Sequence, residues 1–234
     1  MDIAALLHPY IEDALSPTQL TQVSTYLDLL LRWNSKMNLT AIRDSEHIVS
    51  RHFGESFFLA SQLFGPGGFC DLPTYQLTNL LILDLGSGAG FPAIPLKIFR
   101  PDLALTLVEA HHRKAVFLRE VLRAIQLDAE VKNVRADTLP PASADLVTLR
   151  AVEKFDSILP TAARVIGKRE VVEIDGSANP SVHHPPATVH QGLALLIGSR
   201  QVARAKELLN NWRFLPPIPV PNSENRVIQL VEPN

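Results

Sequence analysis

Apolar residues recur with two different spacings along this chain, and the change falls near residue 80. Before it, Leu20, Val23, Leu27, Leu30 and Leu31 share one helical face behind a start signal in which Ser16 caps and Pro17 takes the first helical position. Asp44 or Ser45 caps a further helix that carries Ile48, Phe57 and Leu59. After it, short apolar runs alternate with helical patterns, which predicts βαβ units and a parallel sheet. Strands are expected to begin near 81, 103, 129, 144 and 193, with helices near 92–99, 111–126, 153–166 and 199–211. The proline-rich run from Phe214 to Pro221 turns back toward Arg226 to Val231 as a closing antiparallel pair, its first member confined to an edge by the prolines. The pattern therefore predicts a helical extension over 1–78 and an α/β domain over 79–234. One stretch breaks it: residues 168–191, rich in His, Pro and Ser, are far longer than a helix-to-strand connection needs; connections of that length are functional or disordered, and a solvated, mobile loop is expected here. His183, His184 and His190 lack a Cys or acid at ligand spacing, so no metal is expected there.

The most telling element is Leu81-Ile82-Leu83-Asp84-Leu85 running straight into glycines at 86, 88 and 90. Glycine supplies positive φ in a tight turn and lets a ligand lie against bare backbone. The residues from Phe91 to Lys97 then open a helix, so the predicted unit is strand, glycine turn, helix. A dinucleotide fingerprint would need its third glycine where Phe91 stands; the spacing here is D-x-G-x-G-x-G, which favours a nucleoside without a pyrophosphate. The chain contains no G-x-x-x-x-G-K-[ST] run, which argues against a triphosphate cradle. Glu109 ends a second apolar run about 20 residues after the glycines, where a ribose-binding carboxylate is expected, since its two oxygens can take both ribose hydroxyls. The alternative is an acid placed at a helix start by the dipole of the helix beginning near His111.

Composition narrows the classes further. The chain is 46% hydrophobic and 20% charged, with a formal net charge of −2, so neither disorder nor a globally basic nucleic-acid binder is indicated. Any polyanion must meet a local patch. The single cysteine, Cys70, excludes an internal disulfide and a cysteine zinc cluster and fits a reducing cytosol. The run Met1 to Leu7 lacks a basic start, and no apolar stretch is long enough to span a bilayer, so a cytoplasmic protein is expected.

Together, the Asp84 turn and Glu109 resemble the S-adenosylmethionine site of Rossmann-like class I methyltransferases. More of the chain is similar to one family, the bacterial small-subunit (16S) ribosomal RNA guanine-N7 methyltransferases (RsmG, formerly glucose-inhibited division protein B). The resemblance rests on Trp33-Asn34 with Asn38-Leu39-Thr40, Arg51-His52 with Ser56, the Asp84-to-Pro92 turn with Ile94-Pro95-Leu96, Arg113-Lys114 with Phe117-Leu118, and Arg150-Ala151. It implies that Gly86 and Phe91 contact the cofactor, that Ala136 and Asp137 lie beside its adenine, that Arg150 completes the pocket, and that Asp84 lies near the cationic methionyl end. The cofactor set so read is Asp84, Gly86, Gly88, Gly90, Phe91, Glu109, Ala136, Asp137 and Arg150. The insertion at 168–191, and Ala93 where the family commonly carries glycine, depart from the pattern. Independently, Ala136-Asp137 and Arg150 fall at the carboxyl edge of the predicted sheet, where open α/β folds bind ligands. The plainer alternatives are that Asp137 caps the turn before Pro140-Pro141 and that Arg150 pairs with Glu153 on the surface.

Guanine N7 already carries a lone pair, so methylation there calls for positioning and no general base; no catalytic side chain is expected. Contacts to 16S RNA, naked or in a small-subunit particle, are expected from Arg51, His52, Lys97, Arg113 and Lys114, with Lys36, Arg43 and Arg119 as further phosphate-facing candidates. A monomer is expected. Two other functions share some of these residues: a small-molecule methyltransferase would need a closed apolar pocket, and a non-catalytic RNA- or ribosome-binding module would tolerate loss of Asp84.

Overall fold

A computed structural model describes residues 1–70, 80–151, 154–167 and 191–234. Glu153 and all of the 168–191 insertion except Gln191, with its three histidines, lie outside the described residues.

The N-terminal part is helical, as its spacing predicts. After a short helix α1 (Ile3–Leu7), α2 (Pro17–Asn34) starts on a capping box: the Gln19 backbone N–H donates to Ser16 Oγ at 3.3 Å, and the Ser16 N–H donates to Gln19 Oε1 at 2.8 Å. Its inward face is Val23, Tyr26, Leu27 and Leu30. Asp44 caps α3 (Ser45–Ile48), the backbone widens into a π-helical turn over Val49–Gly54, and α4 (Glu55–Phe64) follows without a break.

Eight strands are seen among the described residues, in the order β3-β2-β1-β4-β5-β8-β6 with β7 also on β8. Strands β1 (Leu81–Leu85), β2 (Ala104–Val108), β3 (Glu130–Lys132), β4 (Leu146–Arg150) and β5 (Gly192–Gly198) run parallel. Strand β8 (Arg226–Pro233) lies antiparallel to β5, and β6 (Trp212–Phe214) and β7 (Ile218–Pro219) form the outer edge, where the prolines lose no ladder bond. Helices α5 (Ala93–Phe99), α6 (His112–Ala124), α7 (Phe155–Val165) and α8 (Gln201–Leu208) complete the alternation.

Side chains alternate across the sheet, so each strand serves two layers. Ile82, Leu105 and Leu107 face a core that includes α5, α6 and the N-terminal helices; Leu83, Leu85, Val147 and Leu149 face α7 and α8. The N-terminal helices thus share one continuous apolar layer with the sheet. Polar ties reinforce the docking: Gln19 Nε2 donates to the Ile98 carbonyl at 2.8 Å, and Gln22 Nε2 donates to the Ile125 carbonyl at 2.9 Å. The parallel order reverses beside β1, with β2 on one side and β4 on the other, and such a switch point is where open α/β sheets bind ligands.

Candidate functional site

The glycine turn leaves the carboxyl end of β1 at that switch point. Gly86, Gly88 and Gly90 all have positive φ, at 73°, 56° and 92°. A Cβ on Gly88 would meet only the Gly86 carbonyl, at 3.7 Å, so this part of the turn faces open space. Gly90 turns the other way. A Cβ there would fall 2.6 Å from the Tyr26 hydroxyl and 2.7 Å from Ile94 Cδ1, so Gly90, expected against the cofactor, instead faces the protein interior. The Tyr26 hydroxyl itself donates to the Ala89 carbonyl, tying α2 to the turn.

Glu109 closes the turn from the neighbouring strand. Its Oε2 accepts the Gly88 N–H at 2.8 Å, and Oε1 accepts the His111 N–H at 2.7 Å, at the cap of α6. The acid therefore touches the turn and also occupies the helix start that was its alternative reading. An ionised carboxylate offers about four lone-pair sites, so two remain for a ligand. Asp84 lies one layer deeper and is buried; its Oδ1 accepts from Thr148 Oγ1 at 2.6 Å, and Oδ2 has no partner among the described residues. Burial pushes its carboxyl up to about 7, with the nearby Glu109 charge adding to the rise and the Thr148 hydrogen bond opposing it.

Phe91, joined to Pro92 by a cis peptide, is sandwiched between Tyr26 (5.2 Å, 13°) and His52 (4.9 Å, 27°). The Arg150 guanidinium lies 5.7 Å from the Phe91 ring centroid. Arg150 ends β4, nearly buried, and its Nη2 donates to Glu55 Oε2 at 2.9 Å and to the Arg51 carbonyl at 2.6 Å. Its partner is thus Glu55 from α4. Arg226 Nη2 approaches the same Oε2 at 3.4 Å, and Arg51 Nε lies 2.9 Å from Oε1, near enough for ion pairing although not aligned as a hydrogen bond. One buried carboxylate thus anchors three guanidiniums, and burial lowers that of Arg150 to about 10.

Ala136 and Asp137 lie on a 3-10 turn after β3. Asp137 is exposed and does not cap the turn before Pro140; it pairs with Arg135 at 2.6 Å, which holds its carboxyl below the usual range.

The RNA-facing candidates divide. Arg113 is exposed and Lys114 half-buried at the start of α6, and Arg51 is exposed over 44% of its side chain. Lys36 is exposed; Arg43 and Arg119 are exposed too, but Arg43 holds the Asn34 carbonyl and Arg119 the Val131 carbonyl. Lys97 is a correction: it is only 6% exposed, and Nζ donates to the Leu103 carbonyl at 2.6 Å, at the start of β2, whereas the glycine turn lies at the strand's other end. His52 is a second correction. It is largely buried against Phe91, its Nε2 meets Thr40 Oγ1 at 2.7 Å, and burial followed by the Arg150 charge lowers it to about 3, so it is neutral and offers a phosphate no charge.

Sequence reading missed Glu55, Tyr26, Thr148 and Arg226, whose roles arise only from tertiary contact. It also gave no reason for the Asn34 and Asn38-to-Thr40 pattern. Asn34 is buried and knits that loop, accepting the Leu39 and Thr40 N–H groups at 2.9 and 3.0 Å and donating to the Thr40 carbonyl; Thr40 then meets His52. No group of three or more metal-ligating side chains occurs among the described residues. No helix among them is long and apolar enough to cross a membrane.

The GidB family profile, described as rRNA small subunit methyltransferase G, matches residues 19–176, from α2 past the whole glycine-turn site. The chain belongs to this family. Among named relatives, the ribosomal RNA small subunit methyltransferase G of Chloroflexus aggregans is 42% identical over 147 residues, covering 60% of this chain and 57% of the relative. The Bacillus pumilus protein of the same name is 37% identical over 162 residues, covering 67% and 63%. The matched part thus spans about three fifths of these relatives' length. The crystal structure of a ribosomal protein L11 methylase from Lactobacillus delbrueckii subsp. bulgaricus superposes with a TM-score of 0.53 at 10% identity, covering 79% of this chain and 80% of that one, which shows a shared fold.

Proposed function

We propose that this chain transfers the methyl group of S-adenosylmethionine to N7 of a guanine in 16S ribosomal RNA. The observation that carries the reading is the Gly88 N–H bonded to Glu109 at 2.8 Å: the ligand-facing turn of one strand and the ribose-class acid of the next form one continuous wall. Membership of the family supports the substrate class. On this reading Gly86, Gly88, Phe91, Glu109, Ala136 and Asp137 hold the nucleoside part, while Asp84 and Arg150 lie toward the methionyl end. The residues present fit such a guest: Asp84 Oδ2 is buried without a partner, and the Gly88 face of the turn is open.

The donor supplies an electrophilic methyl, and guanine N7 accepts it without first losing a proton, so no general base is needed. The work of the chain is positional. The Phe91 sandwich and the Glu55-anchored Arg150 give a rigid, largely dry wall, and holding two reactants in line can supply roughly 7 to 11 kcal/mol of a barrier. The negative form of Asp84 attracts a cationic guest in a low-dielectric site. We place the reaction in the cytoplasm, on naked RNA or a small-subunit particle, with the protein acting as a monomer.

Mass mapping of ribosomal RNA from cells lacking this chain tests the proposal. A missing 7-methylguanine in 16S RNA, restored by the intact chain but not by Arg150→Ala, is the expected result. Calorimetry that detects no binding of the donor to purified protein sinks it.

A further inference from the structure

A groove of about 560 Å3 runs between the end of α2 and the start of α6, outside the residues discussed above as cofactor wall. Its volume is within the range of roughly 300–1,000 Å3 typical of ligand sites. Trp33 stands in it with Arg32 from α2 and Lys36 from the turn just past the helix's C-terminal cap, facing His112, Arg113 and Val116 from α6. The position is telling, because His111, which precedes this wall, bonds the same Glu109 carboxylate that holds the Gly88 turn. The groove therefore opens beside the proposed cofactor site.

Its chemistry departs from that of the whole chain. The formal net charge is −2, yet the lining carries three cations, Arg32, Lys36 and Arg113, against one carboxylate, Glu120. None of the three cations enters an ion pair among the described residues, and of their side chains only that of Arg32 has a hydrogen-bond partner there, its Nε donating to the Asp28 carbonyl at 3.4 Å. Trp33 is backed by Phe117, whose ring lies at 5.6 Å and 60° to the indole. Val116, 37% exposed, adds an apolar patch to the lining. Unpaired cations around one aromatic ring are how proteins grip unpaired nucleic acid: phosphates meet the charges and a base stacks on the ring, with no dependence on base identity. An A-form duplex keeps its bases stacked inside and has no free face to offer the indole.

We infer that this groove seats a single-stranded segment of the substrate RNA, with a base on Trp33 and its flanking phosphates on Arg32, Lys36 and Arg113. The inference rests on the RNA-methyltransferase reading and adds where the strand lies: across the end of α2, with the N-terminal helices as part of the substrate surface.

The chain has two tryptophans, so Trp212→Phe leaves Trp33 as the sole indole reporter. In that protein, titration with a ten-nucleotide oligouridylate is expected to quench the emission, while a duplex of equal length leaves it unchanged. The double variant Arg32→Glu with Lys36→Glu is expected to weaken oligouridylate binding at least tenfold at 0.1 M salt. It should also flatten the log–log salt slope by about 1.4, at about 0.7 per lost single-strand phosphate contact. Donor affinity by calorimetry should not move. Trp33→Ala, read by calorimetry, is expected to weaken oligouridylate binding; where that variant fails to fold, the emission titration of the Trp212→Phe protein, which keeps Trp33, still decides. Unchanged emission, an unchanged salt slope, or equal competition by polyglutamate overturns the inference. Methyl transfer to small-subunit RNA is assayed on the same preparations: transfer by the double variant at an unaltered KM for RNA overturns the groove alone, whereas no transfer by the unmodified chain overturns the broader reading and leaves the fluorescence result to stand by itself.

Discussion

Arg150 at the end of β4 and Glu55 at the start of α4 are 95 residues apart in sequence and 2.9 Å apart in space, both buried. Removing the carboxylate would leave the Arg150 and Arg226 guanidiniums facing each other without compensation. Breaking one partner of a buried pair costs about 3–5 kcal/mol. Glu55→Ala is therefore expected to lose about that much stability in urea unfolding, and to weaken donor binding because Arg150 is no longer held over Phe91. Glu55→Asp should recover part of both. A Glu55→Ala protein as stable as the parent shows that the cluster contributes nothing net.

Two groups whose protonation burial shifts give opposite dependences on pH. Asp84 releases its proton near 3.8 when unfolded and near 7 when folded, so across that interval the native state holds one extra proton and stability falls as pH rises. His52 takes a proton near 6.5 when unfolded but only at about 3 when folded, so between those values the native state holds one fewer and stability rises with pH. From about pH 4 to 6.5 the two slopes oppose each other. Asp84→Asn removes one of them, and its stability is expected to climb more steeply with pH over that window than that of the parent. Equal slopes would mean that Asp84 is not protonated in the native state. In the parent, affinity for the cationic donor should rise with pH through about 7 as Asp84 ionises.

Gly90→Ala tests the inward side of the turn. The new methyl would need a φ of +92° and would collide with the Tyr26 hydroxyl at 2.6 Å. Strain of this kind costs about 1–3 kcal/mol. A lowered Tm with weakened donor binding is expected, and the larger loss should be in Tm, because Gly90 faces the core. Gly88→Ala is strained too, at φ +56°, but its methyl faces open space instead of the core; it should lower Tm less than Gly90→Ala and perturb donor binding more.

Lys97→Met separates charge from packing. The methionine keeps most of the apolar stem but leaves the Leu103 carbonyl without its donor. An unpaired buried acceptor costs about 1–3 kcal/mol, so stability should drop by that order while the salt slope of RNA binding stays where it was. A flattened slope would return Lys97 to the RNA surface.

The legible parts of this chain were those whose chemistry is local. Asp84, the three glycines and Phe91 fall within eight consecutive residues, and Glu109 ends the next strand, so pattern and spacing alone brought them together. The topology followed because apolar runs alternate with amphipathic ones. Glu55 was invisible for the opposite reason: an acid on a helix normally faces water, and its partners Arg150 and Arg226 come from β4 and β8. Lys97 and His52 were misread because a cation in sequence carries no sign of what covers it. Lys97 lies on α5, which packs against α2 and α4 on its way to β2, and His52 is pressed onto Phe91 by the π-helical turn. Trp33 looked like part of a family signature, and only the packing of α2 against α6 gave it a cleft to line.

The hydroxyl of Tyr26 gripping the Ala89 carbonyl has a practical bearing on any attempt to trim this protein. Helix α2 is the back wall of the glycine loop proposed to receive the donor, so a shortened version starting at the first strand would bare the apolar faces of Leu96 and Phe117 and let that loop slacken. A minimal fragment that keeps the turn braced has to begin upstream of Ser16, where the helix acquires its cap.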